Sequence, residues 1–284
     1  TKIFKLKVFT SNFMAIVTLT TDFGHKDYYT AAVRGTLFSM FPEIHIEDIS
    51  HGISKYNILQ AAFVIKNAYQ HFPKGSIHII GVMTHTRGEI SEGDKVLDAI
   101  DHVALEYDGH YFIGADNGMF SYLLDFAPDK IITLKIQKDT AQESFPTKDV
   151  FCKAAAHLAR GGTLEVLGSP RNSLNQGGII QAFAEGGNIR GEVIYVDDYG
   201  NAITNITETL FNQTSKSRSF TISTKLSGYN IRRLTENYHE TKEGERLALF
   251  NSSGYLEIAM NLGHSSNLMG LKVNDVVRVE FKDE

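Results

Sequence analysis

The chain has 284 residues, of which 42% are hydrophobic and 21% are charged, as is typical of a globular protein. The net charge is -5 at pH 7 and no block of like charge occurs, which argues against a nucleic-acid partner because phosphate binding requires clustered Lys and Arg. No apolar run approaches the roughly 20 residues that a membrane-spanning helix needs, so we expect no membrane partner.

The single cysteine, Cys152, excludes an internal disulfide framework and fits a reducing compartment, so we expect a cytoplasmic protein. Its apolar, helix-periodic surroundings favour a small buried hydrophobe over a nucleophile. The first thirteen residues hold only a short apolar run and no small-residue cleavage site, which is unlike a signal peptide. We expect the fold to begin near Met14.

The first predicted element is a buried strand that ends in Asp22 and Gly24. In open α/β sheets, ligands bind in the crevice outside the carboxyl ends of the strands. Asp22 therefore occupies a position suited to holding the hydroxyls of a sugar. The alternative is that this strand-end carboxylate only caps the following helix.

Strands and helices alternate through the first half of the chain. The predicted elements are helices at 27–41, 57–71 and 148–160 and strands at 44–49, 77–82, 101–107, 111–115 and 131–136. This alternation predicts an N-terminal α/β domain at 14–184, with a mainly parallel sheet covered by helices. From Arg190 onward strands and turns dominate with hardly a helical stretch, which predicts a small all-β barrel or sandwich domain at 190–284.

Five segments together resemble the S-adenosylmethionine (SAM) hydroxide adenosyltransferases, which are adenosine-forming SAM hydrolases homologous to the bacterial fluorinase and chlorinase. The segments are 20–24 (TTDFG), 48–51 (DISH), 114–118 (GADNG), 195–201 (YVDDYGN) and 254–261 (GYLEIAMN). Their order and approximate spacing resemble the family from about residue 14 to the C-terminus.

The resemblance implies a SAM-cleaving enzyme in which water attacks the ribose C5′ and releases adenosine and L-methionine. SAM would be the substrate, with no further cofactor and no metal. The resemblance also implies a homotrimer, with each active site between the N-terminal domain of one subunit and the C-terminal domain of its neighbour.

The family resemblance places nine residues against the substrate. They are Asp22, Tyr56, Phe145, Asp197, Tyr199, Asn201, Ser252, Glu257 and Asn261. Asp22 would hold the ribose hydroxyls, and Asn261 suits the adenine edge. Without the family, the segment at 197–201 reads as a turn, the one at 257–261 as an ordinary strand, and Tyr56 as a plain core or surface tyrosine.

The chain departs from the hydrolase pattern at an Asp-Arg-His trio that is held to activate water. Thr84 stands where the Asp is expected, Pro146 replaces the His, and Arg87 is the plausible stand-in for the Arg. His85 and Thr147 are the further catalytic candidates, as a substitute base and as a hydroxyl for water or a small anion. The alternatives are a loop histidine of no consequence and a helix N-cap.

These departures leave two other functions open. One is a non-catalytic module that binds SAM or adenosine, and the other is adenosyl transfer to a halide or another small anion. None of the 11 histidines forms a metal-ligand pattern with nearby carboxylates in the sequence.

Overall fold

The computed structural model describes residues 15–85, 100–136, 144–178, 181–225 and 230–282. The chain divides between residues 177 and 178 into two compact units, and each unit contains its own sheet. Within the described ranges, no helix is both long enough and apolar enough to cross a membrane.

The first unit is a seven-stranded mixed sheet with helices. Its elements are β1 (Ile16–Thr21), α1 (Tyr29–Met40), β2 (His45–Ser50), α2 (Ile58–Lys66), β3 (Ile77–Gly81), β4 (His102–Tyr107), β5 (His110–Ala115), α3 (Phe120–Leu123), β6 (Lys130–Leu134), α4 (Cys152–Ala159) and β7 (Gly168–Pro170). The strand order is β2-β1-β3-β5-β4-β6-β7. The first four of these strands are parallel, and β4, β6 and β7 run antiparallel to their neighbours.

The antiparallel part of the sheet starts at a tight hairpin between β4 and β5. Its two turn residues, Asp108 and Gly109, have φ angles of 49° and 71°. Two successive positive φ angles are the signature of a type I′ turn, whose twist suits a two-residue hairpin. The Asp-Gly pair therefore reverses the chain where a crossover helix would have kept the strands parallel.

Both faces of the first sheet are buried. Val17 and Leu19 of β1 pack with Ile77 and Ile79 of β3 in one apolar cluster, whereas Ile80 belongs to the cluster on the other face. Successive strand residues point to opposite faces, so Thr18 and His78 lie on the face opposite Val17 and Ile77. Both are buried there, and Thr18 Oγ1 is 2.7 Å from His78 Nδ1.

The carboxyl ends of β1 and β3 meet at one edge, because Thr21 pairs with Gly81 in the parallel register. A π-helical turn, Thr147–Phe151, leads into α4 and brings Thr147 to this edge. A Cβ atom placed on Gly81 would lie 2.9 Å from Thr147 Oγ1. Glycine therefore allows Thr147 to approach the end of β3.

The second unit is an antiparallel sheet with two helices. Its elements are β8 (Phe183–Glu185), β9 (Asn188–Val196), β10 (Ala202–Thr207), α5 (Glu208–Ser215), β11 (Phe220–Ser223), β12 (Arg246–Phe250), β13 (Tyr255–Met260), α6 (Ser265–Leu268) and β14 (Val276–Phe281). The strand order is β11-β14-β9-β10-β13-β12, with β8 paired to β9. The expectation of hardly any helix is wrong at α5, where the Thr207 hydroxyl caps the helix by accepting from the Leu210 N–H at 3.2 Å.

Candidate active site

Asp22 lies where β1 ends, and its side chain is buried. Its Oδ2 accepts a hydrogen bond from the Tyr56 N–H at 2.8 Å, and its backbone carbonyl accepts one from Lys55 Nζ. No donor in the described ranges reaches Oδ1. The carboxylate therefore keeps the acceptor capacity that a ribose cis-diol requires.

Aromatic rings surround this edge of the first sheet. The Phe145 ring lies 5.6 Å from that of Phe23 and 5.4 Å from that of Tyr29, in edge-to-face geometry. Tyr56 has a φ of 63°, and in this conformation its backbone N–H donates to Asp22. Its side chain is 59% exposed. Tyr56 thus contacts Asp22 directly, and Phe145 packs against Phe23, the residue that follows Asp22.

His51 supports the same edge from β2. Its Nδ1 is 2.7 Å from Thr21 Oγ1, and its Nε2 is 3.2 Å from the Asp48 carboxylate, without the alignment of a directed hydrogen bond. Burial lowers the pKa of His51 from 6.5, against the opposing pull of Asp48. His51 therefore holds the strand ends together as a neutral group at pH 7.

The segment after β3 carries Thr84 and His85. His85 is exposed, and its Nε2 is 3.2 Å from the carbonyl oxygen of Ser144. A carbonyl only accepts, so Nε2 donates this hydrogen bond and Nδ1 is the ring nitrogen that points away from the contact. The contact joins this loop to the segment that holds Phe145 and Thr147.

Thr147 is fully buried, and its hydroxyl has no hydrogen-bond partner among the described residues. The hydroxyl therefore does not cap the following helix, and the residue at the N-cap position of the π-helical turn is Pro146. An unsatisfied buried polar group costs about 1–3 kcal/mol. A bound water or small anion beside Gly81 would remove that cost.

In the second unit, Asp197 and Asn201 are bonded to each other across a turn. Asp197 Oδ1 accepts from the Asn201 N–H at 2.8 Å, and Oδ2 accepts from Asn201 Nδ2 at 3.0 Å. Gly200 has a φ of 83° and lies against the His264 ring, and Tyr199 is 80% exposed at the tip. The segment at 197–201 thus forms a turn, and the Tyr199 ring is exposed to solvent.

Glu257 is buried on β13, between Ile203 of β10 and Leu249 of β12. Its Oε1 accepts from the Tyr238 hydroxyl at 2.7 Å, and its Oε2 accepts from Asn251 Nδ2 at 3.2 Å. Burial and then this carboxylate raise the pKa of Tyr238. Both Glu257 oxygens are therefore already hydrogen-bonded within the unit.

The remaining two predicted residues differ in their surroundings. Asn261 follows β13, and its Nδ2 donates to the Thr241 carbonyl at 2.7 Å. Ser252 is exposed in the turn before β13. Asn261 thus fixes a neighbouring loop, whereas Ser252 is accessible from solvent.

One predicted catalytic residue, Arg87, lies outside the described residues. Within those residues, no three His, Cys, Asp or Glu side chains form a group that could hold a metal ion.

The sequence did not predict two further residues of the site. Tyr238 lies in a polar loop 19 residues before its partner Glu257. Asn117 stands in the sequence only as part of an Asp-Asn-Gly turn.

The comparisons with known proteins cover both units. The SAM hydroxide adenosyltransferase N-terminal domain matches residues 17–168, and the C-terminal domain of the same family matches residues 191–278. An (R)-S-adenosyl-L-methionine hydrolase of Methanocaldococcus jannaschii is 27% identical over 277 residues, covering 94% of this chain and 96% of that protein. The equally named protein of Thermus thermophilus is 27% identical over 271 residues, covering 91% and 97%.

A solved structure shares the fold. The crystal structure of an uncharacterized conserved protein from Thermotoga maritima aligns with a TM-score of 0.80 at 25% identity. The alignment covers 93% of this chain and 99% of that one. The two proteins therefore share one fold over the aligned 93% of this chain.

Proposed function

Because the chain belongs to the SAM hydroxide adenosyltransferase family, we propose that it cleaves SAM by attack of water at the ribose C5′, giving adenosine and L-methionine. The observation that carries the proposal is the buried Asp22 carboxylate, whose Oδ1 has no donor in the described part of the chain. The names of the two relatives specify the (R) form of SAM, and we propose the same form here.

The reaction is an in-line displacement at C5′. The water oxygen forms a bond to C5′, the C5′–S bond breaks, and its electron pair converts the sulfonium into the neutral thioether of methionine. A sulfonium is a good leaving group, so no general acid is needed. Orientation and exclusion of bulk water can supply roughly 7–11 kcal/mol of the lowering of the barrier.

The attacking water loses one proton, and His85 Nδ1 is the base that we propose. A positioned base typically contributes on the order of 10²–10⁴-fold. The Thr147 hydroxyl is proposed to orient the water, which supplies the hydrogen-bond partner it lacks. Arg87, as the stand-in for the family's arginine, stays a candidate on the sequence alone.

The further parts of the proposal rest on the family resemblance. SAM is the substrate and no other cofactor is invoked. We propose a homotrimer with active sites between subunits, to be tested by light scattering. A cytoplasmic location is consistent with a single, buried thiol at Cys152.

A second candidate function is adenosyl transfer to a halide or another small anion. The buried Thr147 hydroxyl favours it, because the same orphan donor that would orient water can bind an anion. A third candidate, a module that binds SAM or adenosine without turnover, is favoured by Pro146, whose ring at the start of the π-helical turn offers no base.

The test is to incubate the purified protein with SAM, with and without chloride, and to resolve the nucleosides by chromatography. Hydrolysis gives adenosine in both samples, above the level of an Asp22→Ala variant. Glu43→Ala, which changes an exposed carboxylate before β2, serves as the matched control and should behave like wild type. A halogenated nucleoside would establish transfer to chloride, and bound but uncleaved SAM would establish the binding module.

A further inference from the structure

The loop that follows β3 holds an unusual backbone conformation. Met83 has a φ of 46°, in the left-handed region that glycine favours and that long side chains rarely adopt. The next two residues along this loop are Thr84 and His85. Strained backbone persists only where the surroundings hold it in place, and it concentrates at functional sites.

The side-chain amide of Asn117 holds this strained residue on both sides. Its Nδ2 donates to the carbonyl oxygens of Val82 at 3.2 Å and Met83 at 3.0 Å. Its Oδ1 accepts from the Met119 N–H at 3.1 Å. Two acceptors on one side and one donor on the other fix the orientation of the amide.

Asn117 is itself attached to a rigid segment. The neighbouring Asp116 is fully buried, accepts from the Asn175 N–H at 2.9 Å, and pairs with Arg171 Nη2 at 2.6 Å. These contacts connect the end of β5 to the chain beyond β7. The Asn117 amide is therefore presented from a fixed point.

Two histidines make the contacts of the next two residues, Thr84 and His85. His102 Nε2 is 3.1 Å from the Thr84 carbonyl oxygen, and His85 Nε2 is 3.2 Å from that of Ser144. With Asn117, side-chain donors thus engage three consecutive carbonyls, from Val82 to Thr84. These hydrogen bonds anchor residues 82–85, which include Thr84 and His85.

We propose that Asn117 is a positioning residue, which holds Met83 in its strained conformation and thereby places Thr84 and His85 for the reaction at C5′. Asn117 acts through the loop and touches no substrate. The proposal rests on the proposed function, because the loop matters for rate only if His85 or Thr84 acts on the nucleophile.

The sharpest variant is Asn117→Asp. It keeps the size of the side chain and the acceptor for the Met119 N–H. It replaces the Nδ2 donor by a carboxylate oxygen facing two carbonyl oxygens, so the loop loses its anchor. Ser121→Ala is the matched control, because Ser121 Oγ bonds to Gly118 and Gly177 nearby but not to the loop.

Three quantities are measured on the full chain: the single-turnover rate of adenosine formation, the Kd for adenosine by calorimetry, and hydrogen exchange of the peptide containing residues 82–85. Asn117→Asp should lower the rate at least about 10-fold and speed exchange in that peptide, with the adenosine Kd changed less than about twofold. Ser121→Ala should match wild type in all three quantities.

A second substitution separates positioning from a general loss of structure. Met83→Gly removes the cost of the left-handed conformation. Introduced into Asn117→Asp, it should recover at least about threefold of the lost rate. A structural defect elsewhere would not respond to glycine at this position.

The proposal is overturned if Asn117→Asp keeps the wild-type rate, or if its rate falls while exchange at 82–85 is unchanged. Absence of turnover in the wild-type protein would contradict the proposed function instead. In that case unchanged exchange in Asn117→Asp would additionally overturn the loop assignment, and faster exchange would support it.

Discussion

The predicted site residues of the two units differ in whether their polar atoms already have hydrogen-bond partners. In the first unit, Asp22 Oδ1 and Thr147 Oγ1 have no partner within the residues described. In the second unit, Asp197 and Glu257 are engaged at both carboxylate oxygens by Asn201, Tyr238 and Asn251. Polar atoms of the first unit can thus still bond to a ligand, whereas the two carboxylates of the second unit are already hydrogen-bonded within the protein.

This difference changes how each predicted residue is expected to act. A polar group without a protein partner gains most from a ligand, because its desolvation is otherwise uncompensated. A group that already accepts two hydrogen bonds instead fixes the elements that donate them. We therefore expect substitutions in the first unit to affect ligand and rate, and those in the second to affect stability first.

The largest effect on ligand affinity is expected from the substitution Asp22→Asn. The amide oxygen can still accept from the Tyr56 N–H, but the charge that would accept two ribose hydroxyls is lost. Hydrogen bonds to a charged group contribute about 1.5–3 kcal/mol each. Calorimetry should show that adenosine binds on the order of 100-fold or more weakly, and the Tm should be unchanged. A wild-type Kd would show that Asp22 does not contact the ligand.

Glu257→Ala should act on stability. It removes a charged acceptor from the Tyr238 hydroxyl and the Asn251 amide, and a hydrogen bond to a charged group contributes about 1.5–3 kcal/mol. Tyr238 is 42% exposed, so the lower end of this range applies. Chemical denaturation should show the second unit destabilised by about 2–4 kcal/mol. Glu280→Ala, an exposed carboxylate on β14, is the control. Loss of SAM binding without loss of stability would show instead that Glu257 contacts the ligand.

Acid should weaken the first unit through its buried histidines. Burial lowers the pKa of His78 to about 3, with His110 as the second cause, and burial also lowers the pKa of His110. His78 lies 2.7 Å from Thr18 Oγ1 and 3.2 Å from His110 Nδ1, and Lys74 and Asp108 act on His110. The folded pKa lies below the unfolded value of about 6.5, so the unfolded chain takes up protons first.

The stability from His78 is therefore present above pH 6.5 and is lost as the pH falls toward 3. Urea unfolding at several pH values should show a slope of up to about 1.4 kcal/mol per pH unit from this histidine. His78→Gln should reduce the slope, whereas His45→Gln, on the exposed side of β2, should not. An unchanged slope in His78→Gln would contradict the assignment.

The smallest effect is expected from Thr147→Val. The change removes a buried, unpartnered hydroxyl while keeping the shape of the side chain beside Gly81. Stability should stay equal or rise by about 1 kcal/mol, while the rate of adenosine formation falls about 10-fold. A clear loss of stability would show that the hydroxyl has a structural partner, and the comparison between the units would then fail at this position.

The sequence predicted best the two central strands of the first unit. β1 and β3 are rich in β-branched residues, β1 is followed by an acidic residue and β3 ends in a glycine, so their ends, and hence Asp22, could be located from the pattern. The strands and turns that dominate from Arg190 onward likewise predicted the all-β character of the second unit. Helix α5 was missed because a single N-cap threonine is a weak signal in a segment of strands.

What the sequence could not predict depends on contacts between distant residues. Tyr238 and Glu257 are 19 residues apart, and Asn117 reaches the Val82 and Met83 carbonyls across 34 to 35 residues. The π-helical turn that buries Thr147 and the left-handed φ of Met83 are imposed by tertiary packing. No local pattern encodes either of them.

The most direct test of the central claim is the fate of the water oxygen. SAM is incubated with the protein in ¹⁸O-labelled water, and the adenosine formed is analysed by mass spectrometry. Attack of water at C5′ should place one ¹⁸O atom in the 5′-hydroxyl of adenosine and none in methionine. Unlabelled adenosine, or label in the amino-acid product, would contradict the proposed reaction.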